Sequence, residues 1–210
     1  MTTTKAALRV FFLFFTVFAY GQNAPETEEA LFFKYQTLKG VWHVSGNFGL
    51  GLGFRNKSLS LNNSTVIIDI SANPKLGFFL FERWQTGVSY DYHASVTSFG
   101  EKNDYAVFSS VIGAYVRHYF PRGLFGEMQY GLGGGRERIR NGINDQTINY
   151  SIRTHRYTLG IGLASFWTKN MHFELMLRYS RAANRNMNTN ERFTASRLSI
   201  LGGLSIAIGR

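Results

Sequence analysis

Trp42-His43-Val44-Ser45-Gly46-Asn47-Phe48-Gly49-Leu50-Gly51-Leu52-Gly53-Phe54 changes character at every step. Trp42, Val44, Gly46, Phe48, Leu50, Leu52 and Phe54 form one series, apolar or glycine. His43, Ser45, Asn47, Gly49, Gly51 and Gly53 form the other, polar or glycine. A period of two is that of a strand whose faces meet different surroundings. The run is long for a globular strand, which averages about 5–6 residues. If the pattern recurs along the chain, the apolar face is expected to meet lipid and the polar face a lumen.

It recurs seven times. Outward-type residues Ile68, Ile70, Ala72, Leu76 and Phe78 alternate with Asp69, Ser71 and Asn73, and Val88, Tyr90 and Tyr92 with Ser89, Asp91 and His93. Phe108, Ile112, Ala114 and Val116 alternate with Ser109, Gly113, Tyr115, Arg117 and Tyr119, and Met128, Tyr130 and Leu132 with Glu127, Gln129 and Gly131. Tyr157, Leu159 and Ile161 face away from Arg156, Thr158 and Gly160, and Phe173, Leu175 and Leu177 from His172, Glu174 and Arg178. Leu198, Ile200, Leu204 and Ile206 close the series against Arg197, Ser199, Gly203 and Ser205. Each segment has the roughly ten residues a tilted strand needs to cross a bilayer.

The connections have a rhythm. Short links at residues 81–85, 121–123 and 167–171 alternate with longer polar ones at 55–65, 97–104, 137–152 and 182–195. Short turns at one end and long loops at the other describe an up-and-down transmembrane barrel with both termini on the short-turn, periplasmic side. Lipid offers no partner to an open sheet edge, so the eighth segment is expected to pair with the first. Trp42, Trp84, Phe120 and Trp167 fall at the short-turn ends and are expected to form an aromatic girdle. Inner-face glycines leave room for Tyr115 and Tyr119 in a lumen that eight strands make only wide enough for side chains.

The ends and the composition agree. Residues 1–21 read as a secretory signal: Lys5 and Arg9 precede an apolar stretch, and Ala19-Tyr20-Gly21 offers a small-residue cleavage site. That stretch is too short for a helical span, which needs about 20 residues. Residues 22–39 form a periplasmic segment, either helical or disordered, in which Leu31, Lys34, Tyr35 and Leu38 could share a face; residues 40–210 form the barrel domain. The chain has no cysteine, which excludes a disulfide framework and a lipid-anchored cysteine, and only three prolines against 22 glycines, 19 phenylalanines and 11 tyrosines.

The phrases Ser71-Ala72-Asn73-Pro74-Lys75-Leu76-Gly77-Phe78-Phe79, Tyr115-Val116-Arg117-His118-Tyr119-Phe120-Pro121 and Phe166-Trp167-Thr168-Lys169-Asn170-Met171-His172-Phe173-Glu174 resemble the small OmpA/OmpX-type outer-membrane barrels of Gram-negative bacteria. The resemblance implies an integral protein of the outer membrane, inserted by the barrel assembly machinery. It specifies architecture and hardly any activity, since this fold hosts many functions. Such barrels usually end on an aromatic residue, whereas this chain ends Ile208-Gly209-Arg210.

Two sets of residues carry candidate chemistry. Glu127, Glu174, Arg117, Arg178, Asp69 and Asp91 lie on the inner face, where buried charges must be paired or hydrated. They are expected to form a lumen charge network that fills the barrel, the alternative being a narrow porin-like channel gated by an internal ion pair. Arg136, Arg138, Arg140, Arg153, Arg156, Arg181, Arg185 and Arg192 flank the third and fourth long loops and help give the chain its net charge of +10. Outside the cell these arginines would meet lipopolysaccharide phosphates, which a guanidinium binds bidentately, rather than nucleic acid.

An enzyme is the weakest reading. His93-Ala94-Ser95 has the spacing of a lipid A deacylase motif, with Glu101 nearby, but it follows Asp91 on the inward register, whereas those enzymes work on the outer wall. No spacing suggests a metal site, and the glycine-rich runs lack the following helix a phosphate loop needs, so no cofactor is expected. The sequence therefore predicts a non-enzymatic, monomeric outer-membrane barrel with a structural or surface-contact role.

Overall fold

The computed structural model describes residues 28–56, 67–98, 103–141 and 146–208. The predicted signal segment lies outside these residues. Among the described residues eight strands follow one short helix: α1 (Glu28–Gln36), β1 (Trp42–Asn56), β2 (Ile67–Phe81), β3 (Trp84–Ser98), β4 (Asn103–Tyr119), β5 (Leu124–Asn141), β6 (Gln146–Thr168), β7 (Met171–Asn186) and β8 (Arg192–Ile208). Each strand pairs antiparallel with its sequence neighbours, and β1 pairs with β8 from Trp42↔Ile208 to Asn56↔Thr194, so the sheet is a closed barrel. Closure satisfies every interior ladder without leaving an edge in lipid.

The side chains sort as the alternation requires. Phe48, Ile112 and Met128 are 70%, 67% and 65% exposed, while their inward neighbours Asn47, Val111 and Glu127 are buried. An apolar belt this exposed all round a closed barrel would aggregate in water; lipid is its natural solvent. Trp42, Trp84, Phe120 and Trp167 are exposed at the short-turn end, with Trp167 stacked 5.2 Å from Phe173 and Trp42 5.0 Å from Phe78. Outward tyrosines at 90, 92, 130, 157 and 179 lie toward the other end.

Two of the short turns use left-handed backbone. Glu82-Arg83 links β2 to β3 with Arg83 at φ 66°, and Arg122 and Gly123 take φ 66° and 78° in the 3-10 turn Pro121–Gly123 between β4 and β5. The other end differs from expectation. The stretches at 137–152 and 182–195 are mostly strand, because β5 runs on to Asn141, β6 begins at Gln146, β7 reaches Asn186 and β8 begins at Arg192. Backbone pairing continues beyond the apolar belt, where both faces are polar and hydropathy no longer marks a strand. At about 3.3 Å per residue and a tilt near 40°, strands of 15–23 residues overreach an apolar band of about 25 Å.

Within the N-terminal segment Glu28–Gln36 is helical and caps the short-turn mouth. It buries Phe33, Gln36 and Thr37, spaced for one helical face, and exposes Leu31 and Tyr35. The face expected from Leu31, Lys34, Tyr35 and Leu38 is thus mostly the outer one; only Leu38 packs against the core. What decides the orientation is a socket at the barrel mouth, formed by Phe79, Tyr119, Phe125 and Phe166, which takes Phe33. No local pattern reports that socket.

Candidate functional site

The inner face brings charged side chains from distant strands together in three groups. Nearest the short turns, Glu127 on β5 accepts from Lys75 on β2 at 2.6 Å and from Arg117 Nε on β4 at 2.8 Å. Arg117 also reaches Glu174 on β7 at 2.5 Å and donates to the Tyr119 hydroxyl at 2.8 Å. Glu174 accepts further bonds from His172 at 2.9 Å and Ser205 at 2.7 Å. Two carboxylates, one lysine and one arginine therefore share a layer that crosses the lumen, with every charge paired. The Arg117 guanidinium lies 4.1 Å from the Phe125 ring centroid, which seats the layer on the aromatic socket.

The second group joins Asp91 to Arg156 at 2.9 Å and Arg178 at 3.1 Å, with Arg156 also donating to Ser109 at 2.9 Å. The third holds Asp69 between Arg197 and His93. Of the six expected lumen charges, Glu127, Glu174 and Arg117 meet in one layer, Asp91 and Arg178 in another, and Asp69 stands apart with partners of its own. Lys75, His93, Arg156, His172 and Arg197 complete these groups. Lys75 lies two residues beyond Asn73 and shares its parity, and that was the signal available for it.

Arg156 requires a correction. It is 4% exposed and ion-paired in the lumen, so it is no lipopolysaccharide contact. It shares its face with Thr158 and Thr154, because strand parity and not distance from the loop decides where a side chain points. Arg136, Arg138, Arg153, Arg181, Arg185 and Arg192 are exposed on the outward register of strand rather than on loops. The Arg140 side chain lies outside the described residues.

The registers align three of them. Arg153 on β6 stands directly opposite Arg185 on β7, which stands directly opposite Arg192 on β8. Adjacent strands are about 4.8 Å apart, so three guanidinium stems start from a line about 10 Å long. Arg185 is braced by Asn190, whose Oδ1 accepts from its Nε at 2.9 Å and its Nη2 at 2.7 Å. Among the described residues none of the three has a carboxylate partner.

His93 and Ser95 are 1% and 3% exposed on the inner face, with His93 Nε2 3.3 Å from Asp69 Oδ1. That position is the wrong side of the wall for a deacylase acting on membrane lipid, and Glu101 lies outside the described residues. No group of three or more potential metal ligands occurs among the described residues.

A closed ring of eight antiparallel strands with an apolar exterior and a charge-paired interior defines a small outer-membrane-type β-barrel. Among solved structures, the chain is similar to Neisserial surface protein A, with a TM-score of 0.53 and 14% identity over 80% of this chain and 99% of that one. It is also similar to the attachment invasion locus protein of Yersinia pestis, solved with the heparin analogue sucrose octasulfate, with a TM-score of 0.51 and 13% identity over 81% of this chain and 100% of that one. At these identities the likeness is one of fold. No protein-family model and no curated protein sequence matches the chain.

Proposed function

We propose that this chain is a monomeric outer-membrane barrel with a structural and surface-contact role, closed to ions by its own side chains and anchored to lipopolysaccharide through its outward arginines. The observation that carries the reading is the row Arg153–Arg185–Arg192. Like charges directly opposite on neighbouring strands destabilise a sheet, so a row of three calls for an anion from outside the chain. The row points the same way as the lipid-facing residues and lies beyond the tyrosines. Arg153 is four residues past Tyr157, about 10 Å further along the membrane normal for a tilted strand. That is headgroup depth, where phosphate is the abundant anion and a guanidinium its bidentate partner. Arg136, Arg138 and Arg181 extend the basic surface on β5 and β7. Chemistry on a substrate has no part in this reading, and the barrel assembly machinery is the partner expected during insertion.

The test is to fold the protein into phosphatidylcholine vesicles with and without a lipid A-type phosphorylated lipid and compare thermal unfolding. The wild type is expected to gain several degrees from the phosphorylated lipid, and more at low salt than at high. Arg153→Gln/Arg185→Gln/Arg192→Gln should lose at least half of that gain. An equal gain in wild type and triple variant would remove the arginine row from the function.

A further inference from the structure

We propose that α1 is a detachable stopper: it swings out of the short-turn mouth as a unit about Gly40 while the eight-stranded ring stays closed, and Gln36 is its catch. Three observations support this. First, α1 belongs to no ladder. It is joined to β1 by residues 37–41, in which Gly40 takes φ 89°, a left-handed conformation that glycine adopts freely. A helix of nine residues does not persist alone in water, so its order comes from the seat.

Second, the seat joins a small aromatic contact, with Phe32 and Leu38 packed at its edge, to a set of polar bonds. Phe33 meets Phe166 edge-on at 5.2 Å and Tyr119 at 6.4 Å, and the Arg83 guanidinium lies 5.8 Å from its ring centroid. The polar hold is concentrated at one residue. The Gln36 backbone carbonyl accepts from His43 Nε2 at 3.1 Å, its side-chain Oε1 accepts from His172 Nδ1 at 2.6 Å, and its Nε2 donates to the Thr168 carbonyl at 2.7 Å. Backbone bonds from Arg83 to the Thr37 carbonyl at 2.9 Å and from Gly40 to the Phe79 carbonyl at 3.0 Å complete it. Each can be exchanged for water at the mouth, unlike a ladder bond facing lipid.

Third, the catch touches the charge layer. Gln36 Nε2 donates to the Thr168 carbonyl, which turns its Oε1 toward His172 Nδ1, while His172 Nε2 faces the Glu174 carboxylate. One imidazole therefore links the stopper to Glu174, and through it to Arg117 and Glu127. With α1 seated, His172 and Glu174 are shut away from water. With α1 out, they face the mouth, so the stopper sets the hydration of the layer that closes the lumen.

The absence of native cysteine makes the opening measurable in the whole chain by single-cysteine alkylation in detergent micelles, using a water-soluble maleimide. Thr37→Cys reports the buried seat, Lys39→Cys beside it gives the fully exposed rate, and Ser199→Cys reports the lumen of the ring. Labelling of Thr37→Cys is expected to run at least about ten-fold faster than Ser199→Cys. Adding Gln36→Ala should accelerate it several-fold more and leave Ser199→Cys unchanged. Phe33→Cys repeats the measurement should Thr37→Cys fail to fold. Equal rates at the seat and in the lumen would mean that α1 leaves only when the barrel unfolds, and would overturn the proposal. So would a Gln36→Ala effect that is absent or the same at both sites.

Discussion

Glu127 sits between Lys75 and Arg117 with both its oxygens engaged. Removing it strands the buried Lys75 and takes one of two carboxylates from Arg117, and breaking one side of a buried pair costs about 3–5 kcal/mol. Glu127→Ala should therefore lower stability by about that much in urea unfolding from micelles. Lys75→Met together with Glu127→Gln should cost clearly less than Glu127→Ala alone, because Arg117 keeps Glu174. A second residue-scale test concerns the space beneath Tyr115. Gly77 and Gly87 face each other across β2 and β3, and a Cβ on Gly77 would collide with the Tyr115 hydroxyl. Gly77→Val should sharply reduce folded yield, while Gly46→Ala, which has open space at its Cβ, should fold like the wild type on a heat-challenge gel.

At the scale of elements, the strands were legible because the lipid-facing half of each is continuously apolar, and Trp42 to Leu52 already sorts correctly by face. Strand ends were not. Beyond the belt both faces are polar, so residues such as Arg138 and Arg185 read as loop although they are paired strand. Alternation also gives the face of a residue without its height or its partner around the ring. Lys75 and Glu127 come from β2 and β5, and only closure of the ring brings them together. The same limit explains Arg156, whose nearness to a loop suggested the surface while its parity placed it inside. The orientation of α1 depended on a socket built by β2, β4, β5 and β6, out of reach of any local reading. Phe33→Ala should therefore loosen α1 with little effect on the ring: hydrogen exchange should rise at residues 33–38 and stay slow in β4 and β5.

At the scale of the molecule, one arrangement answers two demands. The ring removes sheet edges from lipid, and eight strands leave a lumen that Tyr115, Tyr119, Phe125, Arg117, Arg178 and their partners occupy. The charges inside are matched to one another, while the exposed arginines of the row are left for an external anion. A barrel built this way is expected to act by its outer surface rather than by its bore. Single-channel recording on the purified full-length protein in planar bilayers tests this most directly. Closure by the Lys75–Arg117–Glu127–Glu174 layer and α1 predicts a flat current trace at neutral pH with no discrete steps; reproducible unitary steps from the wild-type chain would contradict it.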